Sequence, residues 1–200
     1  VHIRPFQPAD TDDLYRVCLR TGNDGEDATG LYADPRILGE VYVGPYLAFE
    51  PESALVVDLD GTAAAYALCA PDTAAFEQRL AEKWWPGLRT RYPRDTFPPG
   101  SLDDEVVGII YDPPRTDPEL LTEYPAHLHI DLTPEVQGRG FGGELMRRLL
   151  DAQAQAGVTG IHLEVATANL RAIGFYDHLG FTTLRVEGPD TIMGRRLITD

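Results

Sequence analysis

Leu132-Thr133-Pro134-Glu135-Val136-Gln137-Gly138-Arg139-Gly140-Phe141-Gly142-Gly143 links a strand directly to a helix, and its reading decides the fold. Before it, Ala126 to Leu132 has the composition of a strand. After it, Gly140 to Ala156 has helical periodicity, with Leu145, Met146, Leu149 and Leu150 on one face and Gly157 as the stop. Glu144 stands four residues before Arg148, a favourable helical pair. Glycines at 138, 140, 142 and 143 let the backbone approach a ligand without Cβ clashes. The helix start offers unpaired N–H groups and a positive dipole end to an anion. Arg139 adds a charge-assisted bond. The stretch therefore reads as a pyrophosphate cradle. No Gly-Lys-Ser/Thr follows, which excludes a Walker loop. The preceding sheet begins with a hairpin and not a βαβ unit, which disfavours a dinucleotide fold.

Working outward, Val1 to Arg4 reads as a short strand ended by Pro5. Asp10 to Asp13 caps a helix running to about Thr21. Asn23 to Gly30 is a polar loop, and Pro35 to Tyr42 a second short helix. Ser53 to Leu59 is a strand, Asp60-Gly61 a hairpin turn, and Thr62 to Ala70 the returning strand. Residues 72–125 interrupt this pattern. Two helical stretches, Thr73 to Trp85 and Asp117 to Glu123, flank a Pro-rich middle (Pro93, Pro98, Pro99, Pro113, Pro114). A structureless loop of that length is improbable in a compact domain, so the segment reads as a packed insertion. Trp84 and Trp85 inside it are core or groove-lining. On the far side of the glycine-rich stretch come a strand at Gly160 to Ala166, a helix at Asn169 to Leu179, and strands at Thr182 to Val186 and Thr191 to Leu197. The expectation is one α/β domain over residues 1–200: a mixed, mainly antiparallel sheet of six to seven strands with helices on both faces and an insertion at about 72–125.

The chain has 200 residues, 43% of them hydrophobic and 24% charged, which is the balance of a globular domain. Its 17 basic and 32 acidic residues leave a net charge of −15. That argues against nucleic-acid phosphate and against an anionic membrane surface as partners, and a cationic partner would be drawn in. The acidity also serves solubility. Only one basic residue is a lysine, Lys83. Cys18 and Cys69 are too few and too far apart for a disulfide framework or a zinc site, which fits a reducing cytoplasm. The first residues lack the apolar run of a signal peptide, and no segment approaches the roughly 18 apolar residues of a membrane span. Nothing in the sequence sets the oligomeric state.

Gln137-x-x-Gly140-x-Gly142 resembles the acyl-CoA signature of the GCN5-related N-acetyltransferases. Asn169-Leu170-Arg171-Ala172-Ile173-Gly174-Phe175-Tyr176-Asp177-His178-Leu179-Gly180-Phe181 resembles that family's second motif, Asn-x-x-Ala-x-x-Phe-Tyr-x-x-x-Gly-Phe. The two occur in the family's order and spacing. Ile3-Arg4-Pro5-Phe6, Leu55 to Gly61, Tyr66-Ala67-Leu68, Trp84-Trp85-Pro86 and Ile130-Asp131 are in turn similar to the acetyltransferase-like C-terminal domain of O-GlcNAcases. The resemblance implies a fold of this family and acetyl-CoA as donor. It also implies a set of donor-binding residues: Ile130, Asp131, Leu132 and Thr133 on the strand, Gln137, Gly138, Arg139, Gly140, Phe141, Gly142 and Gly143 in the loop, and Asn169, Ala172, Phe175 and Tyr176 beyond it.

The resemblance further implies that the strand before the loop splays from its neighbour and that its backbone at Ile130 to Thr133 pairs with the pantetheine arm. A backbone N–H near Leu132 then faces the thioester oxygen. Asn169 bonds the donor, caps its helix, or does both. Tyr176 is the candidate general acid toward the leaving thiolate, against the alternative of a core tyrosine behind Phe175. An acceptor amine of ordinary pKa is less than about one part in a thousand neutral at pH 7, so a carboxylate helper is expected. Asp131 is the candidate catalytic base, against the alternative of a salt-bridged strand residue.

His127, His129 and Asp131 alternate and so share one face of their strand. The pattern resembles a His-x-His-x-Asp metal site, but Leu132 follows where a further histidine is usual. No metal is expected, and these histidines read as lining the acceptor cleft or carrying protons. Two function classes remain open: a transferase that moves acetyl from acetyl-CoA to an amine, whether on a small molecule or a peptide, and an acyl-CoA-binding domain with a protein- or peptide-binding role and little or no turnover.

Overall fold

The computed structural model describes residues 1–197. Strand β1 (His2–Pro5) leads through a short 3-10 turn into helix α1 (Thr11–Thr21), and helices α2 (Ile37–Tyr42) and α3 (Gly44–Phe49) follow. The hairpin of β2 (Ala54–Leu59) and β3 (Thr62–Ala70) comes next. Its turn places Asp60 and Gly61 at φ of 53° and 89°, the left-handed pair that a two-residue hairpin demands. Residues 73–123 form α4 (Thr73–Arg79), a π-helical turn (Leu80–Trp84), α5 (Trp85–Arg91), α6 (Leu102–Tyr111) and α7 (Pro118–Glu123). Then come β4 (Ala126–Leu132), α8 (Phe141–Gln155), β5 (Gly160–Ala166), α9 (Leu170–His178), β6 (Thr182–Glu187) and β7 (Asp190–Arg196).

The seven strands form one sheet in the order β1-β2-β3-β4-β5-β7-β6. Every neighbouring pair is antiparallel except β4 and β5. That parallel pair is held by only two matched positions, Ala126 with Ile161 and His127 with His162. Beyond them the strands part. By contrast β4 stays paired to β3 from Ala70–His127 to Ala65–Leu132. The sheet is thus continuous at one end and split at the other.

Both faces of the sheet are covered. On one side, Tyr66, Leu68 and Ala70 of β3 pack with Leu14, Val17 and Cys18 of α1. Phe76, Leu80, Trp85, Leu88 and Ile110 from residues 73–123 belong to the same buried cluster. On the other side, Ala65, Ala67 and Cys69 meet Leu145, Met146 and Leu149 of α8 together with Tyr176 and Phe181. Strand β3 is buried on both faces, which explains its nearly unbroken apolar sequence. No helix among the described residues is long and apolar enough to cross a membrane.

Two elements differ from the sequence expectation. Helix α6 occupies part of the segment read as a Pro-rich middle. Ser101 caps it by accepting from the Asp104 N–H, and Asp103 to Glu105 complement its positive end. Helix α3 was not expected either; Pro45 sits in its first turn, where its missing N–H costs nothing. Trp85 is buried, and Trp84 is part-buried with its indole N–H donating to the Glu40 carbonyl at 2.9 Å.

Candidate active site

Where β4 and β5 part, a cleft of about 950 Å³ opens. Its floor is Ile130, Asp131 and Leu132 on one strand and Leu163 to Ala166 on the other. Gly138, Gly140, Gly142 and Gly143 form one end, and Asn169, Arg171, Ala172, Phe175 and Tyr176 one wall. The loop Asp24-Gly25-Glu26 faces them from the α1 side.

The geometry of the loop follows from its glycines. Gly140 is the N-cap of α8 at φ 82°, a conformation that costs an L-residue roughly 1–2 kcal/mol. A Cβ on Gly142 would come to 3.4 Å from the Phe175 ring, an ordinary contact, so α8 packs against α9 without demanding glycine there. Gln137 does not point freely into the cleft. Its Nε2 donates to the Leu132 carbonyl at 2.7 Å, and its Oε1 accepts from Arg171 at 2.7 Å. It ties the end of β4 to α9 and holds the Arg171 guanidinium at the glycine-rich end.

Three residues assigned to donor binding lie elsewhere. Thr133 is buried, and both its N–H and its Oγ1 donate to the Ala64 carbonyl, at 3.1 and 2.9 Å. It is held by β3 and does not line the cleft. Arg139 donates to the Glu135 carbonyl at 3.2 Å and lies over the Phe141 ring, which itself packs on the core beneath α8. The cation that does line the cleft is Arg171, which sequence reasoning named within a motif without assigning it a role. Its position two residues after Asn169, at the start of a helix facing the glycines, was the available signal.

Because the Thr133 N–H points to β3, strand alternation turns the N–H groups of Leu132 and Ile130 toward the gap. The Leu132 carbonyl is already taken by Gln137, which leaves the N–H as the free group there. Asn169 accepts from the Ala172 N–H at 3.0 Å as the cap of α9, and its Nδ2 donates to the Asp24 carbonyl at 3.1 Å. It therefore joins the two walls of the cleft.

Tyr176 is buried between Phe175 and Phe181, with ring centroids 5.4 and 5.8 Å away. Burial pushes its phenol well above the ordinary value. Among the described residues nothing hydrogen-bonds its hydroxyl, and the residue lines the cleft.

His127, His129 and Asp131 share the α1–α3 face of β4. Asp131 accepts a hydrogen bond from the Tyr66 hydroxyl, and the Thr21 hydroxyl donates back to the Val17 carbonyl of its own helix at 2.9 Å. Burial raises the Asp131 carboxyl above the usual range, while nearby His129 and the Tyr66 hydroxyl pull the other way. The His129 Nδ1 lies 3.9 Å from the Asp131 carboxylate. His127 is deeper: its Nδ1 is 2.7 Å from the Thr73 hydroxyl, and burial pulls its pKa down to about 3. His162 donates from Nδ1 to the Tyr124 carbonyl at 2.8 Å, and burial lowers its pKa too. Both rings are neutral at pH 7. Among the described residues no group of three or more His, Cys, Asp or Glu is arranged to hold a metal ion.

A second cavity of about 240 Å³ adjoins the cleft on this face. The two share Leu128, His129, Leu163 and Glu164. Glu164 stands on β5 with His162 two residues before it on the same face. Partial desolvation of the carboxyl, with Asp190 and Glu187 adding to it, raises it above the usual value, although the residue as a whole is exposed. Sequence reasoning missed this residue; its alternation with His162 along β5 was the signal for it.

Known proteins share this architecture. Protein O-GlcNAcase of Rattus norvegicus is 26% identical over 206 residues, a match covering 98% of this chain and 22% of that protein. The chain thus spans about a fifth of the length of the curated relatives it matches first. The crystal structure of SsHAT superposes with a TM-score of 0.92 at 40% identity, covering 99% of this chain and 98% of that one. The PaiA N-acetyltransferase from Thermoplasma acidophilum, solved in complex with coenzyme A, shares the fold at a TM-score of 0.59 and 16% identity, over 98% of each chain. The acetyltransferase (GNAT) family matches residues 71–181, from the end of β3 through the glycine-rich loop to the second motif, and the chain belongs to that family of acyltransferases.

Proposed function

We propose that this protein moves an acetyl group from acetyl-CoA to a primary amine by direct attack of the amine on the thioester. The observation that carries this reading is the gap between β4 and β5, which opens beside a glycine-lined helix start. The residues fit the donor. Unpaired N–H groups at the start of α8 and the Arg171 guanidinium suit a diphosphate, and a free strand edge suits the amides of a pantetheine arm. Acetyl-CoA supplies the activated acetyl thioester; the chain's own groups do the rest.

The N–H groups of Leu132 and Ile130 face the gap and stabilise negative charge developing on the thioester oxygen. Asp131, partly desolvated and so a stronger base than a surface carboxylate, accepts the proton that the acceptor amine must lose. The Tyr176 hydroxyl, raised by burial, remains protonated throughout the neutral range. It acts on the departing sulfur as a hydrogen-bond donor.

Calorimetry with CoA on the parent and on Gly140→Glu tests donor binding, and transfer of labelled acetyl to an amine panel tests turnover. A bulky anion at position 140 is expected to abolish binding, because it fills the glycine cradle and repels a diphosphate. Equal affinity of the two proteins would refute the reading. Tight CoA binding with no transfer to any amine would leave a donor-binding domain without turnover, a reading that the similarity to O-GlcNAcases supports.

A further inference from the structure

The cavity behind β4 assigns a chemistry to the acceptor. Tyr42 and Tyr46 come from α2 and α3, Phe76 and Trp85 from the segment between β3 and β4, and His127 and His129 from β4 itself. The rings are packed against one another. Tyr46 and Phe76 have centroids 4.8 Å apart, and both meet His127 edge-on, at 5.5 and 5.4 Å. Tyr42 stacks on His129 at 6.1 Å. His127 and His162 are neutral, and the one guanidinium among the described lining residues, Arg115, is exposed at the rim. The polar groups lie at its edges. One oxygen of Glu77 is taken by the N–H and hydroxyl of Thr116, at 2.9 and 2.7 Å. Glu164 stands at the junction with the donor cleft.

We infer that the acceptor is a small arylalkyl primary amine, its ring seated among Tyr46, Phe76 and Trp85 and its nitrogen held at the junction by Glu164. This rests on the transferase reading above and names its substrate class. A volume of about 240 Å³ is small for a ligand site, and it limits the body of the acceptor to about one ring system. Aromatic walls favour an aromatic guest through offset and edge-to-face contacts. An ammonium at the mouth gains the Glu164 carboxylate and the π-faces nearby. A polyamine would have to bury a second charge among the rings, which is costly without a partner. A lysine side chain would leave the aromatic depth unfilled.

The reaction balances simply. The amine nitrogen forms a bond to the acetyl carbonyl carbon, and the carbon–sulfur bond breaks. CoA leaves as the thiolate; of the two protons that the ammonium nitrogen gives up, one passes to solvent before attack and the other to Asp131. His129 lines both cavities and lies 3.9 Å from Asp131, which makes it the connecting group.

Acetyl transfer from acetyl-CoA to 2-phenylethylamine, spermidine and a lysine-containing peptide tests the inference. kcat/KM for 2-phenylethylamine is expected to exceed the others by at least roughly 10-fold, the discrimination an apolar pocket gives. Phe76→Leu and Phe76→Ala should raise KM for that amine with the CoA dissociation constant unchanged, and Glu164→Gln should weaken its binding. The protein's two tryptophans, Trp84 and Trp85, stand at or beside the cavity wall, so their fluorescence in the CoA-loaded protein reports amine binding without turnover. A fluorescence response to 2-phenylethylamine that the Phe76 variants lose, without acetylation, supports the cavity's ligand class and refutes the transferase reading. Preference for spermidine or the peptide, or no fluorescence response, overturns the inference and leaves donor binding to be judged by CoA calorimetry.

Discussion

The hydroxyl of Tyr66, buried beneath α1, donates to the carboxylate of Asp131 directly across the β3–β4 ladder. A hydrogen bond to the charged form lowers a carboxyl pKa, and burial raises it. Tyr66 therefore offsets part of the desolvation of the proposed base.

Tyr66→Phe removes that donor and keeps the ring. The Asp131 pKa should rise further, and the acidic limb of the kcat/KM–pH profile should move to higher pH. Asp131→Asn should remove that limb while CoA binding stays intact. An unmoved limb in both variants would dismiss Asp131 as the base. The loss of one buried hydrogen bond should also cost Tyr66→Phe about 1 kcal/mol in urea unfolding.

Tyr176→Phe keeps the packing between Phe175 and Phe181 and deletes only the hydroxyl. The rate is expected to fall roughly 10- to 1,000-fold with the CoA dissociation constant little changed. Since burial raises this phenol, the parent should show no alkaline loss of rate from Tyr176 up to about pH 10. A collapse of CoA affinity instead would make the hydroxyl a binding contact.

Arg171→Gln removes the cation at the glycine-rich end of the cleft. CoA affinity should weaken by roughly 10-fold, corresponding to one charge-assisted contact of about 1.4 kcal/mol. The salt dependence of binding should weaken with it. Arg139→Gln, which alters a side chain bound to the Glu135 carbonyl, should leave CoA affinity nearly unchanged in calorimetry.

Arg4 grips both oxygens of Asp10, at 2.7 and 2.8 Å, and reaches Asp58 at 2.9 Å. The guanidinium holds the Asp10 carboxyl below the usual carboxylate range. A depressed folded-state pKa means stability that is fully present above the unfolded pKa of about 3.9 and lost as pH falls through the folded value. Asp10→Asn should destabilise by about 2 kcal/mol at pH 7. The gap between variant and parent in urea unfolding should narrow as pH drops below about 4.

His127 has the opposite chemistry and the same direction of effect. The unfolded chain takes up its proton below about pH 6.5, but the folded protein resists until about pH 3. Stability should therefore fall as pH drops through that window. His127→Gln cannot titrate, and its unfolding free energy should slope less steeply between those limits.

The strands were readable because each has a local cause. Asp60-Gly61 marks its turn by chemistry alone, and β3 is apolar throughout because both its faces are covered. Helix α6 was hidden by the prolines flanking it, although Ser101 and the acids at 103–105 carry a helix start. In the site, the glycine-rich loop was legible through spacing, and the place of Tyr176 through its resemblance to the family's second motif. Arg171 and Glu164 were not, because each becomes significant only when the parting of β4 and β5 sets it against elements distant in sequence. Thr133 and Arg139 were misplaced for a related reason: whether a polar side chain meets a ligand or its own backbone is settled by which carbonyls lie within reach, here those of Ala64 and Glu135.

The π-helical turn at Leu80–Trp84 changes which indole the cavity receives. Trp85 bonds its N–H to the Leu80 carbonyl, five residues back, so one residue is looped out of the helical count. Phe76 and Leu80 are four apart; the next residue in phase on a regular helix would be Trp84. The surplus residue advances the helix by about 100°, and Trp85 takes the inward place instead. Removing a single residue from this turn would exchange the two indoles: Trp84 would turn inward, giving up its bond to Glu40, and Trp85 would rotate toward solvent. A one-residue deletion would thus redraw the cavity wall, and with it the shape of the proposed acceptor site.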